Sequence, residues 1–115
     1  MKATIYHNPR CSKSRATLSL LEERNIDVKI VEYLKTPLSR AELRALLAKL
    51  GLQVRDIVRS AESEFKEAGI GIDAPANALL DLIVQHPKIM QRPIVEIGGR
   101  ARVGRPPEAV LELLE

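Results

Sequence analysis

The sequence predicts an α/β domain with a four-stranded mixed sheet and a helical insertion. Two apolar runs near the N-terminus, 3–7 and 27–33, flank a helical segment, which is the pattern of a βαβ unit with two parallel strands. Two further runs, 93–97 and 100–104, flank a pair of glycines, which is typical of an antiparallel hairpin. The sheet should therefore contain both parallel and antiparallel strands.

The N-terminal βαβ unit places a loop where sheets of this kind bind ligands. The first strand covers Ala3 to His7, the helix runs from Ser12 to Arg24, and the second strand covers Asp27 to Tyr33. Parallel strands joined in this way have a right-handed crossover, and ligands bind at the carboxyl edge of the strands. The loop after the first strand lies at that edge. The apolar residues of the helix are Ala16, Leu20 and Leu21.

The middle of the chain is predicted to begin with an amphipathic helix. A capping box, Ser39 to Glu42, opens this helix, and Gly51 ends it. Its leucines recur at i, i+3, i+4 and i+7, so they form one apolar face. These residues are Leu43, Leu46, Leu47 and Leu50.

Further helical segments should follow this helix. Val54, Ile57 and Val58 repeat the apolar spacing in a shorter segment, and residues 62–68 form a weak helical segment before a loop at 69–75. A later helix should end at His86, because a proline follows it and disfavours helical geometry in the preceding residue. The apolar residues of that helix are Leu79, Leu82 and Ile83.

The C-terminal part should add a hairpin and a last helix. Gly98 and Gly99 give a two-residue turn between the strands 93–97 and 100–104. The pair of prolines at 106–107 suits the first turn of a helix. The residues that should cover the core from this helix are Val110, Leu113 and Leu114.

Length and composition are those of one domain over residues 1–115. The chain is 45% hydrophobic, which is enough for a core without support from disulfides or a metal ion. A single cysteine excludes an internal disulfide and a multi-cysteine zinc site, and no metal site is expected. We find no signal for export or membrane insertion, so a cytoplasmic location is expected.

The charge distribution argues against nucleic acid as a partner. Eighteen lysines and arginines against 15 acidic residues give a net charge of +3, and the basic residues are spread along the chain. Aromatic residues, which would stack on bases, are only 3% of the sequence. Arginines that are scattered along the sequence but converge on one site would suit a small anion better.

The single cysteine, Cys11, lies where the first strand turns into a helix. A thiol at a helix start faces unpaired backbone N–H groups and the positive end of the helix dipole, which favour the thiolate. A lone cysteine is more often a small buried hydrophobe than a catalyst. Here its neighbours are polar and basic, so the context favours a reactive thiol. These neighbours are Asn8, Arg10, Ser12, Lys13 and Arg15.

Three segments together resemble one known family. They are His7-Asn8-Pro9-Arg10-Cys11-Ser12-Lys13-Ser14-Arg15, Arg92-Pro93-Ile94-Val95 and Gly104-Arg105-Pro106-Pro107-Glu108. The sequence resembles the glutaredoxin-linked arsenate reductases over nearly its whole length. The resemblance implies a thioredoxin-like fold with a helical insertion. It also implies reduction of arsenate to arsenite, with glutathione as co-substrate, glutaredoxin as partner and no tightly bound cofactor.

The resemblance also assigns roles to residues of this chain. Cys11 matches the nucleophile, and Arg59, Arg92 and Arg105 match three arginines that bind the oxyanion. The planar donors of arginine suit an anion whose charge is spread over tetrahedral oxygens. Pro93 matches a proline that follows a cis peptide bond and faces the catalytic loop. The flanking positions that support the site are His7, Asn8, Ser14 and Arg15.

Each of these residues also has a structural interpretation. Arg59 is predicted to end an amphipathic helix, where a cation interacts favourably with the helix dipole, so it could simply be a solvated helix end. Arg92 and Arg105 each precede a proline and could lie on the surface. His7 could orient the cysteine or accept its proton, but a histidine at a strand end is more often structural.

The remaining basic residues of the loop are ambiguous in the same way. Arg15 could project into solvent, and Arg10 and Lys13 should do so, where they could guide an acidic tripeptide to the loop. Ser14 stands where a dithiol enzyme of this fold would keep a second cysteine. Its hydroxyl could donate to the thiolate but cannot resolve a disulfide.

Three other functions compete with arsenate reduction. A general glutathione-linked thiol oxidoreductase could retain the anion pocket. The same fold family includes adaptors that bind RNA polymerase, but those typically carry a redox pair of cysteines near the N-terminus. A cysteine phosphatase would need an arginine in a C-x5-R loop, whereas Arg15 is four residues after Cys11.

Overall fold

The computed structural model describes residues 1–114, which form two compact units. The first, here called the sheet unit, consists of Met1–Thr36 and the chain from Arg92 onward. The second, the helical unit, is Pro37–Gln91. The expectation of one domain over 1–115 stays a prediction, and its last residue lies outside the described range.

The sheet unit contains a four-stranded mixed sheet, as predicted. Its strands are β1 (Lys2–Tyr6), β2 (Asp27–Val31), β3 (Ile94–Ile97) and β4 (Arg100–Val103), in the order β2-β1-β3-β4. β1 pairs in parallel with β2 and antiparallel with β3, and β3 pairs antiparallel with β4. The βαβ unit and the two-glycine hairpin are both confirmed.

One face of the sheet packs into an apolar core. Ile5 of β1 lies opposite Val95 of β3, and both are fully buried. Helix α1 (Ser12–Glu23) and the C-terminal segment contribute the other side of this core. The buried members of the core are Ala3, Ile5, Leu21, Ile26, Val95, Val110 and Leu113.

The inner face of α1 is partly polar. Leu21 is buried and Ala16 is exposed, and the other buried positions are Ser14 and Thr17. These two polar side chains tolerate burial because each is hydrogen-bonded; Thr17 Oγ1 donates to the Lys13 carbonyl oxygen at 2.8 Å. Hydrophobicity alone therefore does not reveal which residues of α1 face inward.

The helical unit consists of short helices. They are α2 (Arg40–Leu50), α3 (Ser63–Glu67) and α4 (Ala76–Gln85), with 3₁₀ helices at Val54–Ile57 and Pro87–Ile89. The last of these follows α4 directly through His86, so the predicted end of that helix is confirmed.

The capping box at the start of α2 is also confirmed. The Glu42 backbone N–H donates to Ser39 Oγ at 3.1 Å, and the Ser39 backbone N–H donates to Glu42 Oε1 at 2.9 Å. Gly51 follows the helix with φ of +67°, in the left-handed region that glycine adopts readily. No helix within residues 1–114 is long and apolar enough to cross a membrane.

Arg59 does not lie at a helix end, contrary to the sequence prediction. The 3₁₀ helix stops at Ile57, and Val58 forms an isolated antiparallel bridge with Met90. The Arg59 backbone N–H then donates to the Ile89 carbonyl oxygen at 2.6 Å. Strand-like pairing between the two segments ends the helix before the arginine.

The last segment, Pro107–Leu114, is a 3₁₀ helix throughout. Pro107 opens it as expected, whereas Pro106 lies before it and follows a cis peptide bond from Arg105. Val110 and Leu113 are buried, as the apolar spacing predicted.

Candidate active site

Cys11 is the residue at which the loop after β1 becomes helix α1. Its φ and ψ of −93° and 123° are extended, and it caps the N-terminus of α1. Its backbone N–H donates to the Asn8 carbonyl oxygen at 3.0 Å, and its carbonyl oxygen accepts from the Arg15 backbone N–H at 3.0 Å. The thiol is free and half-buried. The sulfur therefore lies at the start of a helix, as the sequence predicted.

The surroundings of Cys11 favour the thiolate. Partial burial raises the pKa of Cys11, but the backbone N–H groups of Ser14 and Lys13 lower it, and so do a hydrogen bond from the Arg92 guanidinium and its positive charge. The balance of these effects puts the pKa of Cys11 below its usual value. A larger fraction of Cys11 is then nucleophilic at neutral pH than of an ordinary cysteine.

A buried hydrogen-bond network holds the loop around Cys11. Ser14 Oγ lies 2.6 Å from His7 Nδ1 and accepts from the Asn8 backbone N–H at 3.1 Å. Asn8 Oδ1 in turn accepts from the Arg10 backbone N–H at 3.0 Å. His7, Asn8 and Ser14 are all buried. The Ser14 hydroxyl thus holds the loop through His7 and Asn8, whereas the Ser14 backbone N–H lowers the pKa of the Cys11 thiol.

His7 is connected to the cysteine loop through Ser14. Burial lowers the pKa of His7, the Glu32 carboxylate raises it, and the Arg15 guanidinium lowers it. The net effect is a lowered pKa, which favours the neutral imidazole at neutral pH. The contact that the structure gives this ring is to Ser14, which supports the structural role considered for a histidine at a strand end.

Two of the predicted arginines belong to the sheet unit, where they are connected to each other. Arg92 is half-buried, and its guanidinium lies near enough to Cys11 to lower the pKa of the thiol. Arg105 Nη1 donates to the Arg92 carbonyl oxygen at 2.9 Å. The structure thus brings Cys11 and Arg92 together and ties Arg105 to the backbone of Arg92.

Pro93 is held by a close contact that the sequence analysis missed. The Arg92–Pro93 peptide bond is cis, as the resemblance implies, and the Pro93 carbonyl oxygen accepts from the Gly104 backbone N–H at 2.9 Å. A Cβ atom on Gly104 would lie 2.8 Å from Pro93 Cγ and 2.7 Å from Thr17 Oγ1. Only glycine fits there without a shift. The glycine directly before Arg105 was the sequence signal that could have indicated a close backbone approach at this position.

The other basic residues of the loop are on the surface. Arg15 is exposed, and its Nη1 donates to the Pro9 carbonyl oxygen at 2.8 Å. The side chains of Arg10 and Lys13 are exposed, as expected. Arg15 therefore fastens the start of the loop while it faces solvent.

Arg59 belongs to the helical unit. Its Nε lies 3.3 Å from Glu62 Oε1, and its Nη1 lies 3.5 Å from Gln91 Oε1. Glu62 is not among the site residues predicted from the sequence, although it lies three residues after Arg59 and carries the opposite charge. Within residues 1–114, no three histidine, cysteine or acidic side chains are grouped in a way that could hold a metal ion.

Comparison with known proteins identifies close relatives. Residues 6–113 match the ArsC family. The arsenate reductase of Neisseria meningitidis serogroup A is 48% identical over 114 residues, which cover 96% of this chain and 96% of that protein. The uncharacterized protein YfgD of Escherichia coli K12 is also 48% identical, over 96% of this chain and 94% of that protein.

A solved structure extends the similarity to three dimensions. The arsenate reductase from Vibrio cholerae superposes with a TM-score of 0.94 at 46% sequence identity, and the match covers 97% of each chain.

Proposed function

This chain belongs to the ArsC family, and we propose that it reduces arsenate to arsenite with Cys11 as the nucleophile. Its fold is the thioredoxin-like fold of the arsenate reductase structures it matches. The observation that carries the proposal is the position of Cys11 at the N-terminus of α1, where the backbone N–H groups of Ser14 and Lys13 and the guanidinium of Arg92 lower the pKa of its thiol. A thiolate next to a fixed cation can attack an oxyanion that would otherwise repel it.

The first step is attack by the Cys11 thiolate on arsenic. A sulfur–arsenic bond forms, one arsenic–oxygen bond breaks, and the oxygen leaves as water after taking up protons. Arg92 and Arg105 stabilise the remaining oxygens, and Arg59 does so by its match to the third arginine of the family. Guanidinium groups suit this role because they donate in a plane to two oxygens at once.

The reducing electrons come from two thiols, one of which is external. Cys11 is the only cysteine in the sequence, so a second thiol has to be supplied by another molecule. A glutathione thiolate attacks the sulfur of Cys11, a disulfide forms, and the electron pair of the sulfur–arsenic bond stays on arsenic, which leaves as arsenite. Glutaredoxin then attacks the glutathione sulfur and releases Cys11 as a thiolate.

The test is an assay of arsenite formation with glutathione and glutaredoxin supplied. We expect turnover in the wild-type protein, loss of turnover when either thiol component is omitted, and no turnover in Cys11→Ser. Arg24→Gln, at the exposed end of α1, is the control for an unrelated substitution. Turnover that persists in Cys11→Ser would refute the mechanism.

A second measurement separates arsenate reduction from general thiol exchange. Mass spectrometry of the protein should detect a mixed disulfide between Cys11 and glutathione that accumulates only when arsenate is present and glutaredoxin is absent. A mixed disulfide that forms equally without arsenate, together with no arsenite, would support a general thiol oxidoreductase instead.

A further inference from the structure

The guanidinium of Arg59 forms an ion pair with the carboxylate of Glu62. The distance from Arg59 Nε to Glu62 Oε1 is 3.3 Å, and the exposed fractions of the two side chains are 25% and 18%. A pair that is shielded to this extent interacts more strongly than one on an open surface, because less water screens the two charges.

The backbone fixes both members of this pair. The Arg59 N–H donates to Ile89, and the Glu62 N–H donates to the Arg59 carbonyl oxygen at 3.1 Å. Glu62 caps α3, and its own carbonyl oxygen accepts from the Phe65 N–H at 3.1 Å. Phe65 is buried and anchors this turn. The carboxylate is therefore held near the arginine by the fold of the helical unit.

Further charges extend the pair into a cluster. Lys88 Nζ lies 3.8 Å from Glu62 Oε2 and 3.8 Å from Glu64 Oε2. Two cations and two anions thus alternate in this part of the helical unit. The positive charge of Arg59 is offset before any ligand arrives.

We propose that Glu62 positions Arg59 and limits how tightly it binds an oxyanion. A guanidinium carries five N–H donors, so Arg59 can keep Glu62 on one edge and present another edge to the ligand. The carboxylate repels that ligand because both are negative. The inference rests on the proposed function, in which Arg59 contacts the arsenate.

The effect should appear in binding and leave the chemical step unchanged. Glu62 acts on the charge of the bound oxyanion equally before and during reaction, which changes KM without changing kcat. Inorganic phosphate is a suitable probe, since it is tetrahedral and anionic but is not reduced by a thiolate.

The experiment compares Glu62→Gln with Glu64→Gln. The amide keeps the size of the side chain and an acceptor oxygen but removes the charge. In Glu62→Gln we expect the inhibition constant of phosphate and the KM of arsenate each to fall about threefold, with kcat unchanged. Glu64→Gln removes a charge from the same cluster at a position that contacts Lys88, and it should leave both constants near their wild-type values.

A double-mutant cycle ties the effect to Arg59. In an Arg59→Gln background, Glu62→Gln should no longer change the inhibition constant of phosphate. Glu62→Asp, which keeps the charge, should stay closer to the wild type than Glu62→Gln. Unchanged or weaker phosphate inhibition in Glu62→Gln would overturn the inference while wild-type turnover left the proposed function standing. Absence of arsenite formation in the wild type would overturn the proposed function and the inference together.

Discussion

The two compact units differ in the group that lies beside a predicted oxyanion-binding arginine. In the sheet unit, Arg92 lies near Cys11 and helps to lower the pKa of its thiol. In the helical unit, Arg59 is paired with the carboxylate of Glu62. Arg92 therefore favours the ionised form of the Cys11 thiol, whereas Arg59 is paired with a carboxylate. Residues of the same type and the same predicted role thus differ in the charge that they can offer a ligand.

The largest expected effect tests this difference directly. Arg92→Gln should lower kcat/KM for arsenate roughly a hundredfold, because it removes both an oxyanion donor and a group that stabilises the thiolate. Arg59→Gln should lower it only about tenfold, since its charge is already shared with Glu62. Steady-state kinetics of both variants provides the comparison. Equal losses in the two variants would show that the pairing with Glu62 has no energetic consequence.

The next effect concerns the packing that holds Pro93 in the sheet unit. Gly104→Ala should lower the free energy of unfolding by about 1–3 kcal/mol, because the added methyl group overlaps Pro93 and Thr17. The matched control is Gly99→Ala, since a Cβ atom there meets nothing within 4 Å. Urea denaturation of both variants is the measurement. A stable Gly104→Ala protein would mean that the surroundings of Pro93 adapt easily.

Two serines provide a smaller comparison between the units. Ser14→Ala removes a partner of His7 Nδ1 and of the Asn8 N–H, which are buried, so it should cost about 2 kcal/mol of stability. Ser39→Ala removes an exposed cap and should cost about 1 kcal/mol. Thermal unfolding of the two variants would check the order. A larger loss in Ser39→Ala would contradict the importance given to the buried network.

The smallest effect is a change in the pH dependence of thiol reactivity. The rate of Cys11 alkylation by iodoacetamide should rise with pH, and the pH midpoint of this rise should lie below that of a free cysteine. The reason is that the thiolate persists to lower pH in the folded protein. The midpoint should move to higher pH in Arg92→Gln and less so in Arg92→Lys, which keeps the charge. Arg24→Gln should leave it in place. A midpoint that is the same in all variants would exclude Arg92 as a cause of the lowered pKa.

Much of the fold follows from local signals in the sequence. The first strand is displaced by only one residue from its predicted limits, and the capping box at Ser39 and the hairpin at the two glycines are where they were expected. These features depend on neighbouring residues alone. The position of Cys11 at the start of α1 could be predicted for the same reason, since a strand followed by a helix start is a local pattern.

The features that were not predicted depend on polar side chains that bond to the backbone or on contacts between distant segments. Thr17 is buried on the inner face of α1 because its hydroxyl donates to the carbonyl oxygen of Lys13, which hydrophobicity does not reveal. Arg59 leaves the helix because Val58 pairs with Met90, more than thirty residues away along the chain. The close approach of Gly104 to Pro93 also joins separate segments. The pairing of Arg59 with Glu62 is the exception, because the two residues lie only three positions apart and carry opposite charges.

The buried hydroxyl of Ser14 cannot resolve a disulfide, which bears on where the proposed reaction obtains its electrons. That oxygen is engaged with His7 and Asn8, at the position where dithiol relatives of this fold would carry their own reductant. Under the proposed mechanism, the molecule contributes one sulfur to each disulfide and has to meet a soluble thiol in every cycle. Its speed under the proposed mechanism should follow the glutathione concentration around it, so that the supply of reductant governs how fast the anion is consumed.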